Sequence, residues 1–346
     1  MKRITGRIRA REGDFVESFE GLIFDVKGLV HPPDRVIAYV RYIPDRTGNR
    51  RRANQFYKKV YSLHERNKFL KEKYPKYLYF DPFFNQLLEG VPTESIYKHY
   101  KPEKKLREMR RRSESLIGLE KDAFEFIKLL KEKSGIPWEK IGVSGSILVD
   151  LYDENSDIDV VVYGSKNCIK VYETLKLLIS SGNLIRRYDE AGLKKLYKFR
   201  IEGAKISFEQ FIKTESRKVI QGEFKGRDYF IRFVKDWHEI TEKYGEKTYM
   251  PIGRARIKAR VVNDDEAIFT PCKYIIDDVV FLRGTVRYPL EEVVSFRGRF
   301  CEHAYVDERI IVEGTLEKVV QPNGFYYYRL IIGGDPKDFM IIAGDE

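Results

Sequence analysis

Residues Val143–Val162 read Val-Ser-Gly-Ser-Ile-Leu-Val-Asp-Leu-Tyr-Asp-Glu-Asn-Ser-Asp-Ile-Asp-Val-Val-Val. Two features of this stretch carry chemistry: a Gly145-Ser146 turn and an Asp157-x-Asp159 pair. The two aspartates alternate with apolar residues, which predicts a strand with both carboxylates on one face. Two carboxylates on one face repel each other, so we expect them to share a cation.

The residue types in this stretch suit a divalent cation and a phosphate. Proteins usually hold Mg²⁺ with one or two carboxylates and the oxygens of a substrate phosphate. Glycine lets the backbone approach a ligand closely, and successive N–H groups with a serine hydroxyl can hold a phosphate against the metal. An Asp-x-Asp pair alone is more typical of a solvated strand edge or a turn. Its combination with the upstream Gly-Ser turn and the downstream apolar run favours a binding site.

The flanking sequence predicts the secondary structure that such a site needs. Apolar residues recur with helical spacing over residues 119–130, and Ser134–Pro137 has the Gly-then-Pro order of a helix end. Residues 141–143 predict a strand that leads into Gly145, and residues 168–178 predict a second amphipathic helix. This order places the turn at the mouth of a sheet.

The stretch resembles the signature of the DNA polymerase beta-like nucleotidyltransferase superfamily, and in particular its archaeal-type predicted nucleotidyltransferases. That signature is a Gly-Ser or Gly-Gly turn, roughly ten residues, then Asp-apolar-Asp. The resemblance covers about residues 119–213. Two departures stand out: Ser144 replaces an apolar residue before the glycine, and Ile147-Leu148-Val149 replaces the small and basic residues that many members carry.

The resemblance implies transfer of a nucleoside monophosphate from a nucleoside triphosphate (NTP) such as ATP to an acceptor, with release of pyrophosphate. Asp157 and Asp159 would be catalytic and would bind Mg²⁺, two ions being implied. Gly145 and Ser146 would bind the nucleotide. A third carboxylate, on a strand beside the Asp pair, would complete the metal site, and Glu209 is the candidate.

The assignment of Glu209 depends on the register of a predicted hairpin. Residues 196–211 alternate apolar and polar side chains around a Gly203-Ala204 turn, which predicts two strands. Glu209 then takes the acid position, although Gln210 follows it where the family has an apolar residue. The alternative register places Ser207 at that position and leaves the site one carboxylate short.

Composition bounds the partners and the compartment. The 346-residue chain has a formal net charge of +11 and a pI near 9.2, which favours an anionic partner, RNA or a nucleotide, over a membrane. The alternative is a thermophile surface rich in ion pairs, because 34% of the residues are charged. No apolar run of about 18 residues and no signal-peptide pattern is present, so we expect a cytoplasmic protein.

The predicted fold class is α+β with three domains. Residues 1–100 form a β-rich N-terminal region with an aromatic and basic connector. Residues 101–243 form the nucleotidyltransferase domain, a central mixed sheet with helices. Residues 244–346 form an all-β, barrel-like domain, because short strands are separated by Gly, Pro and Asn-Asp turns.

Three basic segments allow two interpretations each. Residues 45–52 and the aromatic segments after them suit RNA contact or an ordinary connector. Residues 101–113 suit a solvated helix or a phosphate-facing patch. Arg254, Arg256, Lys258 and Arg260 alternate along one predicted strand and suit a polyanion surface or an ordinary barrel exterior. The alternative to an enzyme is therefore a catalytically inactive nucleotidyltransferase-fold protein that binds nucleic acid or nucleotide.

Overall fold

The computed structural model describes residues 8–182, 184–201, 206–284 and 288–344. Helices and three sheets make up an α+β structure, which confirms the predicted fold class. The chain divides into two compact units. The first comprises the residues up to Pro82, Gln86–Leu177 and Phe224–Gly245; the second comprises Phe83–Asn85, Leu178–Glu223 and the residues from Glu246 onward. The predicted domain boundaries at residues 100 and 243 divide the chain more finely and stay a prediction.

The N-terminal part of the first unit is rich in strands, as predicted. Its elements are β1 (Phe15–Ser18), β2 (Ile23–Val26), β3 (Arg35–Pro44), β4 (Arg50–Arg52), β5 (Gln55–Lys59), α1 (Leu63–Lys73), β6 (Leu78–Asp81), β7 (Gln86–Pro92), β8 (Ile96–Tyr100) and α2 (Pro102–Arg111). The strands hydrogen-bond in the order β4-β5-β3-β2-β1-β8, and β7 joins β3 to β6. The predicted solvated helix over residues 101–113 corresponds to α2.

The middle of the chain contains the Gly-Ser turn and the Asp pair. Its elements are α3 (Gly118–Ser134), β9 (Ile141–Val143), α4 (Gly145–Leu148), β10 (Ile158–Tyr163), α5 (Ser165–Ser180), β11 (Ile185–Arg186), α6 (Glu190–Arg200), α7 (Phe208–Glu215), β12 (Gln221–Phe224) and β13 (Arg227–Val234). In the first unit β10 pairs antiparallel with β9 and parallel with β13. In the second unit β11 pairs with β12.

The two predicted amphipathic helices form as the periodicity requires. The apolar stripe of α3, including Phe126 and Leu130, is buried, and the helix ends at Gly135, whose φ of +69° is the left-handed conformation that glycine adopts without strain. The stripe of α5, including Cys168 and Leu175, is buried as well. None of the described helices is long and apolar enough to cross a membrane.

The C-terminal part of the second unit is the predicted barrel. Its strands are β14 (Thr248–Asn263), β15 (Cys272–Arg283), β16 (Leu290–Ser295), β17 (Arg309–Val320), β18 (Tyr326–Ile332) and β19 (Phe339–Ile342). β14 pairs with both β15 and β17, and β16 and β18 complete the ring between those two strands. β16 and β18 are parallel, whereas the other pairs are antiparallel. Because the ring closes on itself, the prediction of an all-β, barrel-like C-terminal region agrees with the structure.

The basic row of β14 is paired with acids of the same unit. Its ion pairs join Arg254 to Asp338 (2.8 Å), Arg256 to Glu313 (2.6 Å) and Arg260 to Asp277 (2.6 Å). Charges that are balanced in this way attract a polyanion weakly. The pairing therefore favours the ordinary barrel exterior over a nucleic-acid surface.

A buried charged cluster lies in the second unit. Lys218 Nζ donates to Glu215 Oε1 (2.8 Å) and to His303 Nδ1 (3.1 Å), while His303 Nε2 donates to the Met340 carbonyl (2.7 Å). A histidine that accepts at one nitrogen and donates from the other is neutral. Burial, reinforced by the charge of Lys218, lowers the pKa of His303 to about 3. Burial opposes the ionisation of Glu215, but Lys218 and Arg200 outweigh it and lower its pKa to about 2.

The neutral state of His303 predicts a pH-dependent stability. An unfolded histidine binds a proton near pH 6.5, so between that value and the folded pKa the unfolded state binds more protons, and the free energy of unfolding decreases as the pH is lowered through this window. We expect the stability deficit of His303→Gln relative to wild type to shrink by about 2 kcal/mol from pH 7 to pH 5. Urea unfolding followed by circular dichroism measures this, and a deficit that is the same at both pH values would contradict it.

Candidate functional site

The turn after β9 lies directly against the Asp159 carboxylate. Ser144 N donates to the Asp159 carbonyl (2.8 Å), and Ser144 Oγ donates to the Gly13 carbonyl (2.7 Å). Gly145 has a φ of +59°, and a Cβ built on it would lie 1.8 Å from Asp159 Oδ2. Only glycine fits this position, for two reasons: the left-handed backbone and the absence of space.

Ser146 contributes a buried hydroxyl to the same turn. The residue is 2% exposed, and its Oγ has no hydrogen-bond partner within the described residues. A buried hydroxyl without a partner costs roughly 1–3 kcal/mol, which a ligand oxygen would recover. The chemistry of this group fits the predicted role of Ser146 in binding a nucleotide.

The Asp pair stands at the start of β10. Asp157 precedes the strand and Asp159 is its second residue, and the two are close enough for the charge of Asp157 to act on the Asp159 carboxylate. Both residues are partly exposed. Burial, then repulsion from Asp157, raises the pKa of Asp159 to about 7, against the opposing charges of Arg232, Lys59 and Arg41. A cation bound between the two carboxylates would relieve this repulsion.

The neighbouring strand presents an apolar residue level with Asp159. β13 runs parallel to β10, and its Phe230 is the register partner of Asp159. Asp228 precedes Phe230 by two residues and therefore lies on the same face, next to the level of Asp157. Within residues 8–182, 184–201, 206–284 and 288–344, no three His, Cys, Asp or Glu side chains are grouped closely enough to hold a metal ion.

The predicted hairpin over residues 196–211 is wrong. The chain forms helices α6 and α7 there, and the predicted Gly203-Ala204 turn lies outside the described residues. Ser207 is the N-cap of α7: its hydroxyl accepts from Gln210 N (3.2 Å), and the Gln210 side chain accepts from Ser207 N (2.9 Å). This capping box starts a helix where alternation alone had indicated a strand.

Glu209 therefore lacks the strand on which its assignment as third carboxylate depended. It lies exposed in the first turn of α7, where a hydrogen bond with the Ser207 side chain lowers its pKa. The position of Ser207 at the helix cap removes the alternative register as well. Both registers assumed a strand, and the S-x-x-Q spacing from Ser207 to Gln210 was the signal that could have corrected them.

Two arginines of β4 hold the chain that links the turn to the Asp pair. Arg50 donates to Ser156 Oγ (2.8 Å) and forms an ion pair with Asp153 (2.9 Å), while Arg52 donates to the Val149 carbonyl (3.4 Å). The basic run over residues 45–52 had suggested RNA contact or a connector, and two of its arginines bind the protein's own loop. Apolar contacts support the same loop through a buried cluster of Phe15, Ile23, Tyr42, Tyr57, Tyr100, Leu148, Val149 and Leu151.

Comparison with known proteins agrees with this geometry. An uncharacterized protein of Methanocaldococcus jannaschii is 34% identical over 334 residues, which cover 94% of this chain and 96% of the relative. Residues 123–218 match the family model described as the nucleotidyltransferase domain. The chain belongs to the nucleotidyltransferase family. The matched residues include both the Gly145 turn and the Asp pair, as the sequence signature predicted. No solved structure matches the chain.

A buried ionic network joins the nucleotidyltransferase sheet to the N-terminal strands. Arg232 of β13 pairs with Glu12 (2.9 Å) and with Asp25 (3.3 Å), and Lys27 pairs with the same two acids (3.2 and 2.8 Å). Burial would raise the pKa of Asp25, but the charges of Lys27 and Arg232 lower it to about 2. Sequence reasoning missed this network, because nothing in the local sequence indicates a contact between residues 12 and 232.

Substitution of Gly145 tests the contact between the turn and Asp159. We expect Gly145→Ala to lower the free energy of unfolding by about 2 kcal/mol more than Gly118→Ala. Gly118 is a matched control, since its φ is +53° and nothing lies within 4 Å of a Cβ built on it. The difference between the two variants in urea unfolding therefore measures the clash with the carboxylate. Equal losses would mean that Asp159 moves aside without cost.

Substitution of Arg232 tests the ionic network. Arg232→Met leaves two buried acids with one cation, so we expect a loss of about 3 kcal/mol in the free energy of unfolding. Arg111→Met, an exposed site in α2, is the control and should change the stability by less than about 0.5 kcal/mol. Stability is measured by chemical denaturation near pH 7. Similar values for the two variants would show that the network contributes little.

Proposed function

We propose that this nucleotidyltransferase-family protein transfers a nucleoside monophosphate from an NTP to an acceptor and releases pyrophosphate. One observation carries the proposal: the Gly145 backbone lies against the Asp159 carboxylate, on which the charge of Asp157 also acts. A phosphate-binding turn that touches a carboxylate pair is the arrangement that holds a metal-bound triphosphate. The net charge of +11 favours RNA as the acceptor class.

Asp157 and Asp159 would hold Mg²⁺. The raised pKa of Asp159, caused by burial and by Asp157, supports this role, because a divalent cation is the partner that lets both acids ionise together. When bound, such an ion stabilises negative charge on the phosphate oxygens of the reacting group. The two carboxylates suffice for one ion shared with substrate phosphates. For a second ion, Asp228 on the neighbouring strand is a closer candidate than Glu209, but it would have to move toward the pair, since no three acids of the described residues are grouped closely enough to hold a metal ion.

The chain's own groups would position the triphosphate. The Ser146 hydroxyl, which has no partner within the described residues, would donate to a phosphate oxygen beside the Gly145 turn. Arg50 and Arg52 fix the loop between the turn and the Asp pair, so they act on geometry through the backbone and not on the substrate. A site that is held in place before binding loses less entropy when the substrate enters.

A labelling experiment tests the proposed reaction. Wild-type protein with Mg²⁺ and α-labelled NTPs should release pyrophosphate and label one of three acceptor fractions: RNA, protein or small molecules. We expect Asp157→Asn and Asp159→Asn each to lower the rate by about a hundredfold or more. Glu209→Gln should retain the wild-type rate, whereas loss of activity in Asp228→Asn would identify the third ligand. Full activity in Asp159→Asn would refute the metal assignment.

A second candidate is a binding module without catalysis. Phe230 favours it, because an apolar side chain occupies the level of Asp159 on the strand where a third carboxylate is expected. This candidate predicts Mg²⁺-dependent binding of NTP with no release of pyrophosphate in any acceptor fraction. The same labelling experiment, combined with a binding measurement on wild-type protein, separates the two functions.

A further inference from the structure

A β-bulge in the N-terminal sheet contains one arginine. Ile23 pairs with Tyr42 and Phe24 pairs with Val40, so Arg41 is the extra residue between two consecutive pairs of β2 and β3. Bulges of this kind re-aim a side chain and are frequent beside active sites. The regular alternation of β3 is interrupted here, at the edge of the cluster that packs on the loop before the Asp pair.

Arg41 shares an aromatic platform with Lys59. The Arg41 guanidinium lies 4.5 Å, and the Lys59 ammonium 4.9 Å, from the centroid of the Tyr61 ring. Lys59 is the cross-strand partner of Tyr42, so it stands one position from the bulge. Tyr61 is 43% exposed, and both cations are partly exposed. The platform therefore holds two long basic side chains together at the surface, which lowers the entropy cost of ordering them on a ligand.

These two cations differ from the other basic residues near the site. Arg50, Arg52 and Arg232 each form an ion pair with a carboxylate. Throughout the described ranges, by contrast, no carboxylate lies within ion-pair distance of Arg41 or Lys59, and neither side chain makes a hydrogen bond. Both also stand close to the loop before the Asp pair, because Tyr42, which follows Arg41 and pairs with Lys59 across the strands, packs in one buried cluster with Leu148, Val149 and Leu151. Arg41 and Lys59 thus carry positive charges that no carboxylate of the described residues pairs with, and such charges suit a polyanionic ligand.

We propose that Arg41 and Lys59, held on Tyr61, bind the triphosphate of the nucleotide, so that the N-terminal sheet forms part of the nucleotide site. The inference depends on the proposal that the site binds an NTP, but not on the proposal that the protein transfers a nucleotide. One metal ion on two carboxylates leaves most of the triphosphate charge unbalanced. The two unpaired cations of β3 and β5 would balance it by charge-assisted hydrogen bonds, as Arg and Lys do in other phosphate sites.

Binding measurements with three probes test this proposal. Isothermal titration of the full chain in Mg²⁺ would use ATP, inorganic tripolyphosphate and adenosine. We expect Arg41→Gln and Lys59→Gln each to weaken ATP and tripolyphosphate binding about tenfold and to leave adenosine binding unchanged. Lys58→Gln is the matched control, because it removes the same charge from the opposite, exposed side of β5 and should leave all three affinities unchanged.

The outcomes separate this proposal from the proposed function. ATP affinities of both variants equal to that of Lys58→Gln would overturn the role of Arg41 and Lys59 and leave the proposed function standing. Suppose that the wild-type protein binds tripolyphosphate as tightly as ATP and that this binding depends on the two cations. That result would support the anion site and count against a nucleotide as its ligand. If the wild-type protein binds neither ATP nor tripolyphosphate, both the role of Arg41 and Lys59 and the proposed function are overturned. If Arg41→Gln, at the bulge, fails to fold, Lys59→Gln decides alone.

Discussion

The Arg232 guanidinium stands between two sets of carboxylates, and the arrangement of the first unit depends on it. On one side it pairs with Glu12 and Asp25, which belong to the N-terminal region; on the other its charge acts on Asp159 at the start of β10. Buried acids of this kind are tolerable only with a cation close by. The same side chain therefore stabilises the contact between the sheets and the ionised form of the acid pair.

The N-terminal strands are consequently part of the site's construction and not a separate appendage. Gly13 accepts a hydrogen bond from the Ser144 hydroxyl, and Arg50 and Arg52 hold the segment between the turn and the acids. That segment has little regular structure of its own, and Asp150 within it has a φ of +57°. The loop has turn hydrogen bonds of its own, such as Ser156 N to the Asp153 carbonyl (3.1 Å), and the arginines add partners from outside it that help to keep one conformation. The family signature, which begins near residue 119, contains none of these partners.

Local sequence patterns predicted those elements whose formation depends on residues close together in the sequence. The stripes of α3 and α5, the Gly135 helix end and the barrel strands follow from side-chain periodicity and turn chemistry. The hairpin failed because Ser207 and Gln210 form a capping box, which overrides a short alternating pattern. The sequence showed the basic run over residues 45–52 but not the groups that its arginines bind. Contacts such as that of Arg50 with Ser156 join residues more than a hundred positions apart. The charge of the β14 row was likewise visible, whereas its acids lie on other segments.

The closeness of Gly145 to Asp159 restricts how that acid can move. The Gly145 backbone occupies the space beside Asp159 Oδ2, so rotation of the side chain toward the turn is hindered. An incoming ion would meet a carboxylate that has little torsional freedom left to lose. If the pair binds a metal ion as proposed, a carboxylate held in this way would favour a small ion such as Mg²⁺ over a larger one such as Ca²⁺.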